Sequence, residues 1–90
     1  MNSVLDKLSF TNPHDAVTAA YQQVSAAQTM PPNLQVAGAA VLFINLCEGL
    51  GLNPSEVINK AQRLTADADT FYTTTIRALR EYIKQEIHSK

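Results

Sequence analysis

The amino-acid sequence predicts an all-α protein, a compact bundle of four main helices with a short extra turn at the N-terminus. Three observations carry that expectation. Two segments, "TNPHDAV" and "LNPSEVI", open with the same grammar of Asn, Pro and an acid three residues after the Asn. Apolar residues recur at helical spacing along several stretches. No stretch alternates apolar and polar residues long enough to suggest a strand.

The elements follow in order. Val4, Leu5 and Leu8 are expected to form the opening turn. Asn12 then caps a helix whose first residue is Pro13, because Asn accepts from an unpaired amide and Pro has no amide to leave unpaired. Asp15 sits where the positive end of the helix dipole favours an acid. Val17, Ala20, Tyr21 and Val24 fall on one stripe, so this helix runs to about Gln28. Pro31 and Pro32 break the chain. A second helix runs from about Asn33 to Glu48, with Gly49 or Gly51 closing it in the left-handed conformation.

Asn53, Pro54 and Glu56 open a third, short helix with Val57, Ile58, Ala61 and Leu64 on one face; Leu52 and Val57 can form a hydrophobic staple across its start. In "TADAD", Asp67 or Asp69 is expected to cap the last helix, about Thr70 to His88. Tyr72, Ile76, Leu79 and Ile83 form the apolar stripe of that helix.

Ninety residues make a single domain, 1–90, and a chain of this size buries only about 60–65% of its unfolded surface, so stability is marginal. The 46% hydrophobic content argues against disorder. A net charge of −1 gives no general pull towards nucleic acid or anionic lipid. A lone cysteine, Cys47, excludes an intramolecular disulfide and suits a reducing compartment. With no basic region ahead of an apolar core in "MNSVLDKLSF", the expected location is the cytoplasm.

The apolar run Leu34–Leu50 decides between three readings. A membrane span needs about 20 consecutive apolar residues. This run is shorter and carries Gln35, Asn45 and Glu48, so no membrane partner is expected. Its near-continuous apolarity instead predicts a central helix enclosed by the others. Ala37, Gly38, Ala39 and Ala40 would let a neighbour approach closely, and Leu42, Phe43, Ile44 and Leu46 would fill the wider core.

The third reading is a helix-turn-helix. Cys47, Gly51, Leu52 and Val57 match its order of small residue, turn glycine and apolar positions. Asn59, Lys60, Gln62 and Arg63 would then face nucleic acid from the helix Pro54–Thr65. Against it, Lys60 occupies a position such motifs usually bury, Glu56 would face phosphates, and the domain is not basic. Any helix–Gly–helix corner shares the spacing.

Little in the chain supports catalysis, and no enzyme activity is expected. Cys47 lies in the most apolar helix, where a thiol normally serves as a small packing residue. His14 and His88 lack neighbours at metal-ligand spacing. Asp67 and Asp69 are explained by capping. Phosphate loops and nucleophile elbows are missing, so neither a metal nor a cofactor is expected.

Arg77, Arg80, Lys84 and His88 form a basic stripe along the last helix, with Arg77 and Glu81 spaced for an ion pair. Solvated cations near a helix C-terminus account for such a stripe without function. As a docking face, Arg77, Arg80, Tyr82 and Lys84 are the candidate partner-binding residues, with Tyr72 alongside, since aromatic and Arg residues dominate binding hot spots. A homodimer through this helix is a further expectation, although two heptads are too few for a coiled coil.

The stretch "AAVLFINLCEGLGLNPSEVINKAQRL", Ala39 to Leu64, resembles small helical accessory proteins of bacteriophages and prophages. The likeness lies in the Leu-Cys-Glu helix end, the Gly-Leu corner and the Asn-Pro-x-Glu start. It implies tuning of a host or virion protein by direct contact, and no residue's role travels with it. The expected function is therefore a small protein-binding module that modulates or inhibits another protein; nucleic-acid binding is the alternative.

Overall fold

The structure, a computed structural model, describes residues 3–88. Five α-helices and a closing π-helical turn follow one another: α1 (Ser3–Leu8), α2 (Pro13–Ala26), α3 (Pro32–Leu50), α4 (Pro54–Phe71), α5 (Thr73–Tyr82) and the turn Ile83–Ile87. The fold is an all-α bundle of four main helices, with α1 as the short extra element at the N-terminus.

The helix starts form where local chemistry demands. Asn12 and Asn53 stand in extended backbone, and each accepts on Oδ1 from the amide two residues on, His14 at 2.7 Å and Ser55 at 2.9 Å. Pro32 opens α3 as its first residue, without a side-chain cap. Of the two candidate closing glycines, Gly51 takes the role, at φ 68° and ψ 34°. The amide of Leu52 then donates back to the Cys47 carbonyl at 2.7 Å, the bond that ends many helices. A Cβ at position 51 would be strained in that conformation.

The core lies where α2, α4 and α5 meet. Val17, Ala68 and Ile76 are buried there, with Tyr72 and Leu79 packed against them. Ala68 has no exposed surface, and its small side chain lets the three helices converge. Helix α1 packs against α4, and Lys60 Nζ of α4 donates to Ser9 Oγ just beyond α1 at 2.7 Å. Polar bonds pin the start of α2 to the α4–α5 corner: His14 Nδ1 lies 2.8 Å from Thr75 Oγ1, and Asn12 Nδ2 donates to the Tyr72 hydroxyl at 3.4 Å.

Two expectations require correction. Helix α4 does not stop before "TADAD"; it runs through Asp67 and Asp69 to Phe71, and neither aspartate caps α5. Asp69 is instead held by Arg80, eleven residues on, in a two-pronged ion pair of 2.5 and 3.0 Å. The break falls at Tyr72, at φ −133° and ψ 50°, and α5 starts without a side-chain cap.

The second correction concerns α3, which is not enclosed. The main helix pairings are α2–α5, α2–α4, α4–α5 and α1–α4, and α3 takes part in none of them. Cys47 is its sole buried residue, at 2% exposure, whereas Val36 and Val41 stand 70% and 62% exposed. The bundle measures 42 × 30 × 17 Å along its principal axes. Helices pack 8–10 Å apart, so a slab that thin has no room for a helix wrapped on every side.

Candidate protein-binding surface

The basic stripe of the last helix divides on folding. Arg80 is turned to Asp69, and their mutual hydrogen bonds hold the aspartate below its ordinary 3.8 and push the guanidinium up. Both side chains remain about half exposed, so the pair is a modest surface contact. Tyr82 is half-buried, donates to Gln28 Oε1 at 2.9 Å and stacks obliquely on Tyr21 at 5.1 Å between ring centres. Burial, then the charge of Glu86, raises its pKa. Arg77 is exposed, and the expected Arg77–Glu81 pair is not formed among the described residues; Glu81 accepts from Gln85 instead, at 3.3 Å. Lys84 lies in the π-helical turn, exposed and beyond the straight run of α5. Arg80 and Tyr82 are engaged within the bundle, so the four candidate residues do not form one continuous free face.

At the α3–α4 corner the structure places Asn59, Gln62 and Arg63 on the exposed side of α4. Lys60 points the other way, half-buried and donating to Ser9. Gln62 borders an open apolar groove of about 440 Å³ with Phe43 of α3 and Ile58, Ala61 and Thr65 of α4. The four candidates for nucleic-acid contact thus diverge, leaving Asn59 and Arg63 as an exposed pair one helical turn apart.

The largest feature of the surface is α3 itself. Leu34, Val36, Val41, Leu42, Ile44, Leu46 and Leu50 are all exposed large apolar side chains. Two of its polar residues turn back onto the backbone: Asn45 Nδ2 donates to the Val41 carbonyl at 2.8 Å, and Gln35 Nε2 to that of Met30 at 3.0 Å. The other amide atom of Gln35, Oε1, is shielded and has no hydrogen-bond partner. A groove of about 550 Å³ runs along this side from Met30 and Leu34 past Gly38 and Val41 to Asn45. Helix α3, at 19 residues, is long and apolar enough to cross a membrane by length and composition. Its length therefore does not exclude a span, as the shorter run Leu34–Leu50 had suggested.

Connectivity argues against a span. A spanning α3 would put α2 and α4 on opposite sides of a hydrocarbon layer about 30 Å thick. Helix α2 packs directly on both α4 and α5. An interfacial helix would need a charged face, and Glu48 is the one charged residue of α3.

No group of three or more His, Cys, Asp or Glu among the described residues could hold a metal ion. Both grooves are open and apolar, without convergent polar groups. No family model, curated protein or solved structure matches the chain.

Sequence reasoning missed α3 as a surface because burial depends on how many neighbours are available. One signal was present. Four main helices in so short a chain are too few both to form a core and to enclose one of their number.

Proposed function

We propose that the chain is a small protein-binding helical module and that the apolar side of α3 is its principal contact surface. The observation that carries this reading is the row of large, uncharged side chains on α3 that the chain's own helices leave open to water. Monomers rarely expose contiguous apolar patches beyond a few hundred Å², and larger ones mark interaction sites. The likeness of Ala39–Leu64 to phage accessory proteins supports a role in modulating or inhibiting a host protein, with Arg77 and the outer side of α5 as an additional contact.

The test is retention of polypeptides by the immobilised chain, offered both host extract and untagged copies of itself. Val41→Asp should reduce retention through α3 at least about tenfold, the size of a hot-spot loss. Alanine at Arg77 should have a smaller effect. Unchanged retention by the Val41→Asp protein overturns the reading.

Nucleic-acid binding keeps one observation in its favour, the exposed pair Asn59 and Arg63. Affinity for duplex DNA that falls steeply between two salt concentrations, and that Arg63→Ala weakens, would replace the protein-binding reading.

A further inference from the structure

We propose that the partner seated on α3 is a second copy of this chain, in a two-fold pair whose α3 helices cross near Gly38 and Val41. The proposal rests on the protein-binding reading and names the occupant of that surface.

The first argument is area. A folded monomer of 9.8 kDa is expected to expose about 5,200 Å². This chain exposes 6392 Å², an excess of about 1,200 Å² over that scaling. Two copies hiding that excess from one another would bury about 2,400 Å², within the range of obligate homodimers.

The second argument is self-complementarity. A two-fold interface presents the same patch to itself, so any charge at its centre meets its own like. Helix α3 carries no Lys, Arg or Asp, and Glu48 is confined to its last turn. Val41 stands at the midpoint of Pro32–Leu50. An antiparallel crossing there puts each Glu48 about 10 Å along its helix from the centre, at opposite ends of the interface. At Gly38 a Cβ would meet nothing within 4 Å, so the space a partner backbone needs is open.

Asn45 spends one of its two amide N–H groups on the Val41 carbonyl, so its side chain brings one donor fewer to the contact. The basic side of α5 is not needed for the pairing, and each dimer would present two such faces.

Sedimentation equilibrium on the full chain tests the proposal, alongside circular dichroism to verify folding. The expected mass is twice 9.8 kDa for the native chain. For Val41→Asp, dissociation should strengthen at least about a hundredfold at unchanged helicity, because an unpaired charge would be buried at the crossing. A Val41→Cys variant, at the crossing itself, keeps the interface without an added charge and brings the two thiols within disulfide reach. It should form a disulfide-linked pair on mild oxidation, whereas the native chain should not, since Cys47 is buried.

A native chain that sediments as a monomer at every concentration overturns the proposal. If Val41→Asp then still abolishes retention of another polypeptide, the protein-binding reading survives without the homodimer. Flotation of the native monomer with phosphatidylcholine–phosphatidylglycerol vesicles would overturn both in favour of lipid. A dimer that persists in Val41→Asp and fails to cross-link through Val41→Cys also overturns the proposed interface.

Discussion

Helices α3 and α4 are nearly equal in length, at 19 and 18 residues, yet they solve opposite problems. Helix α4 is amphipathic. Val57, Leu64 and Ala68 turn inward, while Asn59, Arg63 and Asp69 face water. Helix α3 is apolar on nearly every side and meets the bundle through a narrow contact around Cys47 and Phe43. The difference teaches that apolar content does not itself create a core. A stripe can be buried by two neighbours, whereas a cylinder requires several.

The comparison can be broken most forcefully by paired truncations. Ile76→Ala empties part of the α2–α4–α5 core and should cost about 3 kcal/mol in urea unfolding. Val36→Ala on α3, measured at a dilution where any association is lost, should stay within about 0.5 kcal/mol. Equal losses would mean that α3 is packed after all. A smaller effect is expected at the helix start that both elements border. Asn53→Ala removes the acceptor for the Ser55 amide and should cost about 1 kcal/mol.

The smallest effect should come from Asp69, whose carboxylate is held by Arg80 on the exposed side of the α4–α5 corner. Its folded pKa lies below the ordinary 3.8. The ionised form therefore stabilises the fold above that value, and the contribution disappears as pH falls through the depressed one. Asp69→Asn should be slightly less stable than the native chain at neutral pH, and the gap should close under strong acid. Thermal melts across that range would show the closure, and a gap that widened in acid would contradict the pairing.

What could be read in the sequence was local. The caps Asn12 and Asn53, the proline starts and the glycine at position 51 each act over a few residues. Their helices appear where those signals place them. What escaped depended on distance along the chain. Asp69 looked like a cap because nothing nearby showed that Arg80 would hold it. Arg80 and Tyr82 looked free for a partner, but Asp69 and the pair Gln28 and Tyr21 engage them. The exposure of α3 depended on the whole arrangement, since Leu34 and Val41 are open because α2, α4 and α5 pack on one another.

Cys47 gives this arrangement a chemical stopwatch. The thiol is sealed at the α3–α4 bend, and its own carbonyl accepts the amide that fastens the bend. A maleimide or aromatic disulfide can reach it only when the bend comes undone. The pace of labelling under native conditions thus counts how often α3 swings away, without introducing a foreign residue.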